Sequence, residues 1–390
     1  MVRTTTTCVP LAVKAKLKVP SVEYAPLYLQ VKDALADKIR NDFSSDGSRL
    51  PSERDLSQAF RVSRATIRQA LAELEKEHYL DRRQGSGTVV RGCRPAARTG
   101  NIGFLFGWER EALLRAPYYS DIYQVVEREA SGQQCRVILV AKSIFERHDV
   151  EWLKNHVDGM LVTEITDAGL CARLRETGIP CVFINCSCPG NEAMHTVEVD
   201  NEGAASAAVE YLISREHRRI GFLSQACRGD EHPVFRERLK GYRQALNRHG
   251  LSREAGLEAV GALDYHNVTG ISGGYSAAAR LMKSAGEMPT AVFACNDLIA
   301  LGAMQAFRDA GMSVPDDIGI MGFDDIEAAG RATPPLTTMR VDREKIGLSA
   351  VRELAALVNG VSNGGSRESI EAQLVPRESV RKLSDMRRQP

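Results

Sequence analysis

Two groups of side chains in this 390-residue sequence have the types and spacing to do chemistry. The first lies in the rear two-thirds. Asn185 follows the apolar run Cys181–Ile184, Asn296 and Asp297 follow Ala291–Cys295, and Asp324 and Asp325 follow Ile318–Phe323. Amides and carboxylates at the ends of buried strands are fixed donors and acceptors, suited to the hydroxyls of a small polyol. An arginine such as Arg238 can donate to several ring oxygens, and the faces of Trp108, Tyr118 and Tyr119 can cover the apolar side of a ring. Each has a plainer use. An Asn or Asp after a strand commonly caps the next helix, as expected of Asp297. Arg238 stands one position off the apolar stripe Phe235, Leu239, Tyr242 and Leu246 and reads equally as a surface charge, and the tyrosines read equally as core.

The second group lies between Leu50 and Leu74. Ser52 can cap a first helix with Asp55 in the capping-box position, burying Leu56 and Phe60. Arg61-Val62 makes a tight turn. Ser63 then caps a second helix whose Ile67, Ala70, Leu71 and Leu74 form an inward stripe. The opposite face shows Arg64, Thr66 and Arg68. Guanidinium and short polar groups near a helix N-terminus suit the major groove, since Arg donates two bonds to guanine or phosphate. The helix end adds free N–H groups for a phosphate. Downstream, Leu80 to Val90 reads as a β-hairpin with a Gly85-Ser86-Gly87 tip and basic flanks. For one arginine, simple solvation is the shorter account. Three helices, a capped turn, a basic outer face and a wing together predict DNA binding.

The elements that must hold these groups follow from periodicity. Leu27, Val31, Leu35 and Ile39 recur every four residues from Pro26, an amphipathic helix ahead of the two described. Residues 1–23 read as a flexible basic arm, 24–92 as the DNA-binding module and 93–99 as a linker. After Gly100 short apolar strands alternate with helices: Ile102–Phe106, Val137–Val140, Gly159–Val162, Cys181–Ile184, Ile220–Leu223, Ala291–Ala294 and Ile318–Met321. The expected fold class is therefore α/β, parallel sheets in two lobes behind a winged helix-turn-helix. Lobe 1 is placed at about 100–196 and 341–365, lobe 2 at about 197–340 and 366–378, and a tail at 379–390. Ligands of such sheets bind beyond the carboxyl ends of the strands.

Composition bounds the function. An apolar fraction of 43% with 26% charged residues excludes a disordered or fibrous chain. The longest apolar runs, such as Ile179 to Ile184, fall far short of the roughly 18 residues of a membrane span. Cys8 to Val13 is too short for a signal peptide, so a cytoplasmic location is expected. Residues 1–99 carry 18 Lys and Arg against 11 Asp and Glu, and the remainder carries 33 against 39, a basic front on an acidic body. The nine scattered cysteines fit a reducing compartment better than a disulfide framework. Cys181, Cys186 and Cys188 with His195 match no standard zinc spacing and read as buried thiols, so no metal and no cofactor is expected. The rear module shows no nucleophile elbow, phosphate loop or Schiff-base lysine motif, so no enzyme activity is expected.

On these motifs, residues 26–90 resemble the winged helix-turn-helix of the GntR family of bacterial regulators, through Leu-Pro-Ser-Glu-Arg at 50–54, Val-Ser-Arg-Ala-Thr-Ile-Arg-Gln-Ala-Leu at 62–71 and Arg-Arg-Gln-Gly-Ser-Gly-Thr at 82–88. The resemblance implies that Arg54, Ser63, Arg64, Thr66 and Arg68 contact an operator, that Ser52 meets phosphate and that Gly85 lies at the minor-groove wing. Residues 101 to about 378 resemble the effector domain of the LacI/GalR family, a relative of periplasmic sugar-binding proteins. Matching segments include Ala116-Pro-Tyr-Tyr-Ser-Asp-Ile, Gly178-Ile-Pro-Cys-Val-Phe-Ile-Asn, Arg236-Glu-Arg-Leu-Lys-Gly-Tyr, Ala294-Cys-Asn-Asp and Gly322-Phe-Asp-Asp. That resemblance implies Tyr118, Tyr119, Asn185, Arg238, Asn296 and Asp324 as effector contacts, with Tyr265 near a stacking position. The hinge helix usual in that family is missing, a combination similar to the arabinose-repressor type of chimeric regulator. The expectation is a homodimer that binds double-stranded operator DNA, repressing a carbohydrate operon until a sugar effector releases it. Alternatives are a co-repressor-dependent regulator sensing a nucleobase or other small metabolite, and a DNA-binding protein with a degenerate cleft.

Overall fold

In the computed structural model the chain divides into two units, Met1–Arg98 and Thr99–Pro390. The structure describes residues 26–42, 50–76, 80–83, 87–90, 98–108, 110–147, 150–165, 167–186, 194–226, 232–262, 270–361 and 365–386. The arm at 1–23, Gly85 at the wing tip, most of the 93–99 linker, Cys188 and Tyr265 lie outside them.

The front unit comprises α1 (Leu27–Asp42), α2 (Glu53–Phe60), α3 (Arg64–Lys76) and an antiparallel hairpin of β1 (Leu80–Arg83) with β2 (Gly87–Val90), Leu80 opposite Val90. Its core is the periodic set: Val31, Leu35 and Ile39 from α1, Leu56 and Phe60 from α2, Ile67, Ala70, Leu71 and Leu74 from α3, closed by Leu80 and Val90. Leu27 is exposed, so the packed stripe begins one turn later than its period suggests. Leu50 N–H donates to the Thr88 carbonyl at 3.0 Å, tying the start of the helix pair to the wing.

The rear unit carries two parallel sheets. One has six strands in the order β13-β7-β6-β5-β3-β4 and the other four in the order β11-β10-β8-β9. The strands are β3 (Asn101–Phe106), β4 (Arg136–Ala141), β5 (Gly159–Thr163), β6 (Cys181–Ile184), β7 (His195–Val199), β8 (Ile220–Gln225), β9 (Glu258–Gly261), β10 (Ala291–Ala294), β11 (Gly319–Met321), β12 (Thr338–Val341), β13 (Arg367–Ile370) and β14 (Ala372–Val375). Side chains alternate between two cores. Phe104, Phe106 and Leu161 join one, while Leu105, Met160 and Val162 join the other, so the six-stranded sheet is buried on both faces and its strands read as unbroken apolar runs.

The chain leaves the six-stranded lobe after Val199, returns along β12, and leaves again after Ile370 into β14, which pairs antiparallel with β12. The second boundary therefore differs from the expected one. Residues 367–370 belong with lobe 1, because β13 completes the open edge of β7 in parallel register and Arg367 pairs with Glu198 at 2.8 Å. The expected tail also begins too early. Ser379 exchanges backbone and side-chain bonds with Ile320 on the edge strand β11, Val380 is buried, and Leu383 N–H donates to Arg215, so 379–386 is docked on lobe 2. Among the described residues no helix is long and apolar enough to cross a membrane.

Candidate functional site

The ends of the two sheets meet around a cavity of about 120 Å³. Tyr118, Tyr119, Asn185, Arg238, Asn296 and Asp324, six residues scattered over 207 positions, all line it. The strand-end rule and the resemblance thus converge on one place.

On the lobe 1 side, Asn185 follows β6 with φ of 51°. Its Nδ2 donates to the Tyr118 hydroxyl at 2.8 Å and its Oδ1 accepts from Val199 N–H at 3.1 Å, which locks the amide. Tyr118 and Tyr119 open the helix Pro117–Gly132 and meet edge to face at 5.0 Å. Burial, with Asp324 nearby, pushes the Tyr118 phenol up, so it stays a neutral hydroxyl.

Glu164, at the end of β5, is a cleft residue that the sequence analysis missed. It has φ of 58°. Its backbone closes against β3 because residue 107 is glycine: a Cβ there would lie 1.8 Å from the Glu164 carbonyl oxygen. The carboxylate accepts from Trp108 Nε1 at 3.1 Å and from the Tyr119 hydroxyl. Burial opposes its ionisation, but His232 and these donors outweigh that and hold the acid down at about 2. His232, also missed, is buried at the N-cap of the helix Pro233–Arg248, with Nε2 3.4 Å from Glu164 Oε2 across the cleft. Glu164 was findable, since it stands at the carboxyl end of a predicted strand. His232 sits in a loop with no periodic signal.

On the lobe 2 side, Arg238 is buried rather than a surface charge. Its guanidinium donates to Asn201 Oδ1 at 2.9 Å, the Cys295 carbonyl at 2.5 Å and Asp324 Oδ1 at 3.2 Å, and lies 3.6 Å over the Phe323 ring. Asp324 occupies φ of 110°, a strained position held by that network. Burial pushes its acid up to about 6 against the opposing pull of Arg238 and Arg343. Asn296 caps the helix Asp297–Asp309 by accepting from Ile299 N–H at 2.8 Å. The cap expected of Asp297 is thus made by its neighbour. Asp297 itself is buried, accepts from Ile326 N–H and Thr338 Oγ1, and is pushed well up by burial and Asp324.

Of the cysteine cluster, Cys188 lies outside the described residues. Burial pushes the Cys181 and Cys186 thiols up to about 12, and His195 Nδ1 bonds Glu353 and Ser366. Cys171, in the helix Ala168–Thr177, is disulfide-bonded, which the scattered spacing did not suggest.

In the front unit, Ser52 caps α2, accepting from Asp55 N–H at 3.3 Å and donating to the Asp55 carboxylate at 2.6 Å. Arg61 ends α2 in the left-handed region with φ of 54°. Ser63 accepts from Thr66 N–H at 3.1 Å, and the two hydroxyls bond at 2.8 Å, so Thr66 serves the cap as well as the outer face. Arg54, Arg64 and Arg68 are exposed, with Arg68 resting 3.4 Å from Glu53. A capped N-terminus with the exposed Arg64 and Arg68 in its first turns can hold phosphate and reach base edges.

Residues 27–90 match the model of the gntR family of bacterial regulatory proteins, and residues 209–380 match the periplasmic binding protein-like domain. The chain is 31% identical over 277 residues to the HTH-type transcriptional repressor CytR of Escherichia coli (strain K12), covering 68% of this chain and 76% of CytR. The chain belongs to the LacI-type transcriptional regulators. This LacI-type regulator is also 28% identical over 353 residues to the arabinose metabolism transcriptional repressor of Geobacillus stearothermophilus, covering 85% of this chain and 91% of that protein. A solved complex of the transcriptional regulator CelR with cellobiose aligns with a TM-score of 0.65 at 26% identity, over 91% of this chain and all of that one. The regulator is thus a DNA-binding transcription factor with a GntR-type head on a periplasmic-binding-protein-like effector domain.

Proposed function

We propose that this regulator is a cytoplasmic homodimeric repressor whose cleft binds a small sugar, and that the bound sugar lowers its affinity for the operator. The observation that carries this reading is the convergence of Tyr118, Tyr119, Asn185, Arg238, Asn296 and Asp324 on one cavity at the carboxyl ends of two parallel sheets. The aromatic pair suits the apolar face of a ring, and the amide and charged groups suit its hydroxyls. A ligand that touches both lobes stabilises their closed arrangement by its differential affinity for that state. In a dimer, two recognition helices would read a near-palindromic site, so the spacing of the heads decides affinity. The arabinose metabolism repressor and the CelR–cellobiose complex support a carbohydrate effector. The chain acts by binding, without catalysis or a cofactor.

The test is fluorescence anisotropy of a labelled promoter fragment from the chain's own genome, with and without arabinose, ribose, glucose and cellobiose. Salt-sensitive binding weakened by one of these sugars supports the reading. Binding that is strengthened by the sugar, or indifferent to all of them while the cleft is occupied, overturns it.

A further inference from the structure

We propose that Glu164 and His232 select the effector: a free ligand hydroxyl is held between them, so the cleft takes an uncharged polyol and rejects a phosphorylated or carboxylated one. This rests on the reading that the cleft binds the effector.

His232 is 9% exposed and lines the cavity, yet among the described residues neither ring nitrogen makes a well-formed hydrogen bond, the contact of Nε2 with Glu164 being a long one. Buried polar groups in a folded protein are normally satisfied, so an orphaned imidazole facing a cavity marks the place of a ligand atom. It does not serve its own helix, because the His232 side chain makes no cap bond. Its Nε2 lies 3.4 Å from Glu164 Oε2, on the opposite lobe.

The chemistry of the pair specifies the group. A carboxylate only accepts, and an imidazole always carries at least one N–H. Trp108 and Tyr119 already point Glu164 into the cavity and each uses one lone pair, leaving one per oxygen free. A hydroxyl can donate its proton to Oε2 while accepting from a His232 N–H. A carboxylate or phosphate oxygen has no proton for Glu164 and would set like charges together. The Arg238 guanidinium is already shared between Asp324, Asn201 and a carbonyl. Because the two residues stand on different lobes, the same hydroxyl ties the lobes together.

The experiment is calorimetric titration of the full chain with arabinose, ribose, glucose and cellobiose and with arabinonate, ribose 5-phosphate, gluconate and glucose 6-phosphate. At least one neutral sugar is expected to bind, with its matched anion at least tenfold weaker. His232→Ala and Glu164→Gln are expected to weaken that sugar at least tenfold, and His232→Gln, which keeps a donor and an acceptor, to recover part of the loss. Circular dichroism melts of the ligand-free variants exclude a folding defect. Equal affinity for the matched anion, or sugar binding within twofold of wild type in both His232→Ala and Glu164→Gln, overturns the proposal. Sugar binding also unmoved by Asp324→Ala places the ligand elsewhere and sinks the cleft reading itself. Silence from all eight compounds contradicts the carbohydrate reading, and the pair's proposed role falls with it.

Discussion

Arg343 Nε stands 3.1 Å from Asp121 Oδ2, and the same guanidinium donates to the carbonyls of Asp324 and Asp325. Arg343 opens the helix Arg343–Val358 directly after the crossing strand β12, so one side chain joins the cavity-facing loop of lobe 2 to the helix of lobe 1 that carries Tyr118 and Tyr119. Asp325 is further held by Arg340 and Arg377, each at 2.6 Å. A ligand that moves Asp324 therefore pulls on both lobes through a bonded chain.

Arg343→Ala should leave operator affinity without sugar near wild type and reduce the effect of sugar on that affinity. Couplings between sites are typically about 1–3 kcal/mol, so a loss of about 1 kcal/mol is expected in the sugar-dependent shift of DNA affinity. An unchanged shift would show that Arg343 carries no signal.

Removing Arg238 leaves Asp324 buried without its partner. Breaking a buried pair in this way costs roughly 3–5 kcal/mol, so Arg238→Ala should lower the urea midpoint of the effector domain sharply. Asp324→Asn should cost less, because Arg238 retains Asn201 and the Cys295 carbonyl.

The pH dependence of stability has a definite sign at Asp324. Its acid is raised from 3.8 to about 6, chiefly by burial, so the folded state favours the protonated form. Stability from this group is fully present below about 3.8 and is lost as pH rises through about 6. Melts from pH 4 to 7 should show Asp324→Asn gaining on wild type as pH rises. Glu164 runs the other way: lowered from 4.5 to about 2, its contribution holds above pH 4.5 and fades as pH falls toward 2.

At α3 the cap and the proposed operator contact can be tested separately. Ser63→Ala removes the α3 cap and should cost about 1 kcal/mol of front-unit stability. Arg64→Ala should leave melting unchanged, weaken operator binding and, if Arg64 meets phosphate, reduce the salt slope by about 1. Competition with G-to-A operator substitutions distinguishes a base contact from a phosphate contact.

Much of this was legible because it is periodic or positional. The α3 stripe, the Ser52 and Ser63 caps and the strand-end residues Asn185, Asn296 and Asp324 follow from period and from the carboxyl-end rule. Other features depend on tertiary geometry. The burial of Arg238 needs acceptors from three distant segments, Asn201, Cys295 and Asp324, and nothing in its own helix signals them. The pairing of β13 with β7 joins strands whose facing residues, such as Arg367 and Thr196, are far apart in sequence, and β13 is too polar to read as a strand. His232 is recognisable only as an unsatisfied group facing a cavity.

The most direct test of the central claim is operator anisotropy measured alongside sugar calorimetry for wild type, Arg64→Ala and Asp324→Ala. The account predicts that Arg64→Ala loses DNA binding and keeps sugar affinity, while Asp324→Ala keeps DNA binding and loses the sugar and its effect. Loss of both activities together in either folded variant would contradict a cleft that regulates a separate DNA-binding head.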